Sequence, residues 1–299
     1  MVATGLQPHP QCRFNPRDTG LQRRGGYCDV VQLAGLHQKR QPASYRLVRS
    51  LSEESAKAYQ EVLTASRTEQ IRADDGGEFP GHLALPESGS GPGMVVIQEI
   101  FGVNDYIKGA CERLAKLGYV AMAPDLYWRL GPGIAIDEKE PGGLQKAFGQ
   151  VGRLDFVKAG EDATAALEHL RRLPEVAGGR AGIIGFCLGG GVSYMVAALS
   201  DPVTCVSYYG SAVPDALALA GKVRCPILFH FGGADNYIPA EKQEAVREAF
   251  EHHKWVEFHV HEGAGHAFDN YNAATMHHER AAREAWAQTA DFLKRTLPV

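Results

Sequence analysis

Cys187 sits in the run Gly185-Phe186-Cys187-Leu188-Gly189, with an apolar stretch from Gly182 before it and a helical stretch after it. A strand that enters a helix through a glycine-bracketed turn is the G-x-S-x-G nucleophile pattern, here with cysteine in the serine position. Such a turn forces unusual backbone angles on the nucleophile, and glycine leaves room beside it. It also aims the side chain at a helix start, where free N–H groups and the helix dipole favour a thiolate and a developing oxyanion. Cys111, Cys205 and Cys225 lie in helix or strand contexts with no partner signature and read as small buried hydrophobes.

A nucleophile of this kind needs a base and a group to orient it, following in the order nucleophile, acid, histidine. After the apolar run 227–231 comes a loop carrying Asp235, and after the run 256–260 comes Gly263-Ala264-Gly265-His266. Taken singly, Asp235 reads as a cap for the following helix and His266 as a loop histidine. Their order and their matching strand-end positions join them to Cys187 as a triad. His252, His253, His259, His261, His277 and His278 show no acid–histidine ligand motif, so neither a metal nor another cofactor is expected.

The elements that must position these residues become regular from Thr68 onward. β-rich runs at 69–73, 81–85, 94–99, 119–123, 182–186, 205–209, 227–231 and 256–260 alternate with helical runs at 105–116, 155–173, 190–198, 240–252 and 274–295. That alternation predicts an α/β fold: a mostly parallel central sheet of about eight strands with helices on both faces, of the α/β-hydrolase type. The first two strands have no helix between them and predict an antiparallel edge hairpin. Strand-end loops of such a sheet are where sites form. Residues 67–299 read as one domain. Residues 1–66 read as a disordered N-terminal extension or as translated sequence upstream of the true start, in preference to a transit peptide, with a weakly helical stretch over 51–66.

The chain of 299 residues carries a net charge of −4. Its first 50 residues hold eight Lys or Arg against two acids, a local +6 that leaves −10 on the remainder. An acidic body gives no electrostatic reason to expect a nucleic-acid partner. No apolar run reaches the length of a membrane span, so no membrane partner is expected. Six cysteines without a CxxC pair, in a chain this long, point to reduced thiols and the cytoplasm.

Four motifs, Gln98-Glu99-Ile100-Phe101-Gly102, Ala123-Pro124-Asp125-Leu126-Tyr127, Gly185-Phe186-Cys187-Leu188-Gly189-Gly190 and Gly263-Ala264-Gly265-His266, resemble the dienelactone hydrolase (carboxymethylenebutenolidase) family over residues 68–297. The resemblance implies a cofactor-free cysteine hydrolase of aromatic-compound degradation, a monomer or small homo-oligomer whose partner is a small-molecule lactone or ester. In it the Cys187 thiolate forms an acyl-enzyme, with His266 as base and Asp235 as its orienter. Glu99 holds the resting Cys187 thiol and accepts its proton when substrate arrives. The N–H groups of Leu188 and Ile100 form the oxyanion hole, and Tyr208 or Tyr209 either joins them or packs in the core. Arg129 matches one of two arginines that grip a substrate carboxylate; Asn270 stands where the second is expected, beside the acidic Asp269. That departure leaves open a broader carboxylesterase or thioesterase, and, outside enzymes, a non-catalytic binding protein on the same fold.

Overall fold

The computed structural model describes residues 65–299. Apart from Ala65 and Ser66, the expected extension over 1–66 and its weak helix lie outside the described residues.

Strands β1 (Ser66–Arg72) and β2 (Glu78–Ala84) pair antiparallel across a turn at Asp74 to Gly77, the predicted edge hairpin. The remaining strands are β3 (Gly91–Ile97), β4 (Val120–Pro124), β5 (Val176–Phe186), β6 (Cys205–Tyr208), β7 (Ile227–Gly232) and β8 (Val256–His261). Together they form an eight-stranded sheet in the order β1-β2-β4-β3-β5-β6-β7-β8. β2 joins β4 antiparallel, and every pairing from β4 to β8 is parallel. β3, β4, β6 and β7 are buried along their whole length, which is why they read as unbroken apolar runs rather than alternating ones.

Among the described residues six α-helices accompany the sheet: α1 (Asp105–Lys116), α2 (Gly143–Val151), α3 (Phe156–Arg172), α4 (Leu188–Leu199), α5 (Ala240–Ala249) and α6 (Glu279–Thr296). The Asn104 side chain caps α1 by accepting from the Ile107 N–H, and Asp155 caps α3 by accepting from Val157 and Lys158. Both start signals are legible in sequence. α2 is not: it begins after Gly142 in a left-handed conformation, with no side-chain cap. A 3₁₀ segment, Pro214–Lys222, is likewise unpredicted. α6 starts at Glu279, later than expected, because Asn270 accepts from the Asn272 and Ala273 N–H groups and holds the intervening chain in turns. β5 starts earlier than expected, since its first residues, including Gly178 and Gly179 at positive φ, are polar or small.

In-register parallel pairing brings the carboxyl ends of β3, β5, β6, β7 and β8 to one edge. Ile97 pairs with Gly185, Phe186 with Tyr208, Tyr208 with His230, and Gly232 with His261. Glu99, Cys187, Asp235 and His266 all follow those ends.

Backbone approaches backbone closely where α4 leaves β5. A Cβ on Gly189 would overlap the carbonyl oxygens of Ile97 and Gln98, which are backbone and cannot turn aside. Gly189→Ala should therefore destabilise the fold by about 1–3 kcal/mol. Urea unfolding would register this as a lower midpoint at unchanged slope; an unaltered midpoint would refute the close approach.

Candidate active site

Cys187 occupies the turn between β5 and α4 with φ 53° and ψ −112°, a conformation that side chains rarely adopt. Its amide donates to the Tyr208 carbonyl at 3.0 Å, tying the turn to β6. Its carbonyl accepts from the Gly190 N–H at 3.0 Å. Because a trans peptide sets C=O and N–H in opposite directions, that bond turns the Leu188 N–H the other way, toward the open side. Leu188 begins α4, so its N–H has no carbonyl within the helix to bond. The peptide between Glu99 and Ile100 is fixed in the same manner. The Glu99 carbonyl accepts from Gly102 at 3.3 Å, and the Ile100 N–H points oppositely.

The three sequence-selected residues form one hydrogen-bonded chain. His266 Nε2 lies 3.0 Å from Cys187 Sγ, and His266 Nδ1 lies 2.8 Å from Asp235 Oδ2. The other carboxylate oxygen of Asp235 accepts from the Tyr237 N–H at 2.8 Å and the Ile238 N–H at 3.3 Å. Asp235 is thus both the turn residue and the imidazole's partner. Burial alone would push His266 down, but the sulfur and the Asp235 carboxylate outweigh it and hold the imidazole up at about 11. Ala267 (φ 55°) and Tyr209 (φ 37°) add strained backbone beside the same imidazole.

Glu99 is buried, and desolvation raises its carboxyl to about 7, against the pull of the Asn270 amide and the His266 charge. The Asn270 amide nitrogen donates to Glu99 Oε2 at 2.7 Å and to Glu138 Oε1 at 3.0 Å. Asn104 Nδ2 also donates to Glu138, at 2.7 Å. Glu99 Oε1 has no hydrogen-bond partner. The contact expected between Glu99 and the resting thiol is therefore not the one observed: Cys187 is paired with His266, while Asn270 holds Glu99. Asn104 and Glu138 carried no sequence signal for this site, because Glu138 joins Asn104 to Asn270 only through tertiary folding.

Other expected contacts fall elsewhere. Arg129 spends its guanidinium on Asp162 (2.9 and 2.8 Å) and Asp75 (2.7 Å) and stacks on Trp128. It does not line the cleft above Cys187. The Tyr208 hydroxyl bonds Thr289 at 2.7 Å, within the core, and Tyr209 bonds Tyr106 at 3.2 Å. Asp269 is buried and neutralised by a bidentate contact with Arg113, so it adds no free charge to the site. His261 and His230 bond each other at 3.1 Å, and His230 continues to Thr289. Among the described residues no cluster of three or more His, Cys, Asp or Glu is arranged to hold a metal.

A cleft of about 350 Å³ opens over Cys187, Leu188, Glu99, Ile100 and His266. Its wall is built by Leu144, Phe148 and Val151 of α2 with Phe156 of α3, and Tyr237, Ser211, Asp215 and Lys242 complete it. The spacing of Leu144, Phe148 and Val151 (i, i+4, i+7) was the one available signal for α2.

A mostly parallel eight-stranded sheet with a strained strand-to-helix turn at Cys187 after β5 defines the α/β-hydrolase fold. Within that class, the dienelactone hydrolase family profile matches residues 79–297, and the chain belongs to that family. It is a hydrolase acting on ester or lactone bonds. A carboxymethylenebutenolidase from a Pseudomonas species is 38% identical over 229 residues, covering 77% of this chain and 95% of the relative. The carboxymethylenebutenolidase of Pseudomonas putida is 33% identical over 75% of this chain and 94% of its own. Among solved structures, a Klebsiella pneumoniae protein assigned as a dienelactone hydrolase superposes with a TM-score of 0.66 at 27% identity, over 77% of this chain and 99% of that one. A dienelactone hydrolase-like promiscuous phosphotriesterase from metagenomic libraries gives 0.62 at 26%, over 78% and 99%.

The raised Glu99 carboxyl has a measurable signature. The folded protein keeps this proton up to about pH 7, whereas an unfolded chain loses it near 4.5. Its contribution to stability should therefore fall as pH rises from 4.5 to 7, by a total on the order of 3 kcal/mol, and stay level above. Urea midpoints of the protein and of Glu99→Gln, compared at pH 5 and pH 8, check this. The variant should gain on the parent at the higher pH; parallel behaviour would rule out the buried acid.

Proposed function

We propose that the chain hydrolyses its ester or lactone through an acyl-enzyme on Cys187. The observation that carries this reading is the chain from Cys187 Sγ through His266 to Asp235, at 3.0 and 2.8 Å, opening on the floor of the cleft. In the first half-reaction the thiolate, its proton held on His266 Nε2, attacks the carbonyl carbon. The oxygen becomes an oxyanion facing the N–H groups of Leu188 and Ile100. Collapse breaks the carbon–oxygen bond, and the leaving alkoxide takes the proton from His266. In the second half-reaction His266 removes a proton from water, which attacks the thioester, and the sulfur leaves as thiolate. Asp235 keeps Nδ1 as the donor side of the ring throughout.

Glu99, whose carboxyl is held near neutrality by burial, is assigned an electrostatic role beside the Cys187–His266 pair and not the acceptance of the Cys187 proton, which His266 already holds. Against a purely ligand-binding role stands the intact hydrogen bonding of nucleophile, base and acid, which binding alone does not require. Cys111, Cys187, Cys205 and Cys225 are all unpaired. No helix among the described residues is long and apolar enough to cross a membrane. The unpaired thiols favour a reducing compartment, the cytoplasm.

Cys187→Ala should lower kcat on an activated aryl ester by at least about 10³-fold with the fold intact. Mass spectrometry of acid-quenched parent enzyme should find one acyl group, on Cys187. Full activity in the variant would eliminate the acyl-enzyme route.

A further inference from the structure

We infer that the substrate is an uncharged ester or lactone carrying a bulky apolar group, and that a carboxylate near the scissile bond is selected against. This rests on the reading of Cys187 as the nucleophile and specifies what reaches it. Three observations carry it. First, the wall of the cleft is apolar: Leu144, Phe148 and Val151 of α2 and Phe156 of α3 face the space above Cys187. Phe148 and Phe156 are 46% and 39% exposed, so these rings leave uncovered apolar surface that a substrate group would cover.

Second, neither position from which a cation would reach a substrate carboxylate supplies one. Arg129 is consumed by Asp162 and Asp75, outside the cleft. Asn270 is uncharged, fully buried, and turned to the carboxyl groups of Glu99 and Glu138. Third, the one lysine or arginine that lines the cleft among the described residues, Lys242, lies 3.6 Å from Asp215, itself a lining residue. An anionic substrate would meet the carboxyl groups of Glu99 and Asp215, one lysine already shared, and a His266 imidazole whose two nitrogens are committed to Asp235 and Cys187. Moving a carboxylate out of water into such a site costs free energy that no unshared cation returns, whereas an apolar group gains by the same transfer.

Two 4-nitrophenyl esters of matched shape and leaving group test the inference: the 4-methylpentanoate, which is neutral, and the hemisuccinate, which ends in a carboxylate. The neutral ester should be favoured in kcat/KM by at least about tenfold. Phe148→Ala should reduce kcat/KM for the neutral ester about tenfold, carried by KM. Asp215→Asn, at an exposed position, should improve the anionic ester about threefold by releasing Lys242. In the Cys187→Ala protein, where binding is read without turnover, the neutral ester alone should raise the Tm. Equal or better use of the hemisuccinate, or equal Tm shifts by the two esters, would overturn the substrate class while leaving Cys187 as nucleophile. Full turnover of either ester by Cys187→Ala would instead remove the acyl-enzyme reading.

Discussion

The backbone of Cys187 is held at φ 53° by its surroundings, and the geometry of the site follows from that turn. A non-glycine residue in this region is strained by about 1–3 kcal/mol and persists only where neighbours over-determine it. Here the neighbours are the Tyr208 carbonyl on one side and the first turn of α4 on the other. Gly185 and Gly189 make the packing possible: a Cβ on Gly185 would strike the Gly189 carbonyl, and one on Gly189 would strike the end of β3. One turn therefore brings the Cys187 thiol, a helix N-terminus and the Glu99–Ile100 peptide together. Tyr209 and Ala267, the other two non-glycine residues at positive φ among the described residues, border the His266 imidazole, so strain is concentrated around the Cys187–His266 pair.

Electrostatics around that turn separate into two systems that share His266. Asp235, with two backbone donors on one oxygen and the imidazole on the other, is a fully satisfied carboxylate that fixes His266 in orientation. Glu99 is the opposite case, buried with one oxygen unpartnered, and its carboxyl is correspondingly close to neutral. Two acids within one site thus sit in opposite environments, one fully hydrogen-bonded and one desolvated. The same Asn270 that partners Glu99 also holds Glu138, so the segment leading into α2 and the apolar wall is tied to the interior of the site.

Asn270 illustrates how one substitution alters the meaning of its surroundings. An arginine there would be a positive group able to meet an anion. The asparagine instead donates both amide hydrogens to protein carboxyl groups, and its carbonyl shapes the turn ahead of α6. Asp269 next to it, which by sequence adds negative charge to the pocket, is internally neutralised by Arg113 and Tyr106. The local charge balance depends on side chains more than 130 positions away, so it cannot be read from a neighbouring string of residues.

By itself the sequence determined the strand–helix alternation, the glycine-bracketed turn at Cys187 and the selection of Cys187, Asp235 and His266, which the fold joins by hydrogen bonds. Apolar runs and the glycines around Cys187 are short-range signals of backbone geometry, and parallel pairing then carries Cys187, Asp235 and His266 to one edge. Tertiary structure alone decided the partners of charged groups: Arg129 with Asp162 and Asp75, Tyr208 with Thr289, and Asn270 between Glu99 and Glu138. It also decided α2, whose glycine-rich start carries no cap and whose apolar face is completed only by the cleft it lines. The physical reason is range. Backbone conformation responds to residues a few positions apart, whereas a buried charge is settled by whichever opposite charge or donor the fold delivers to it.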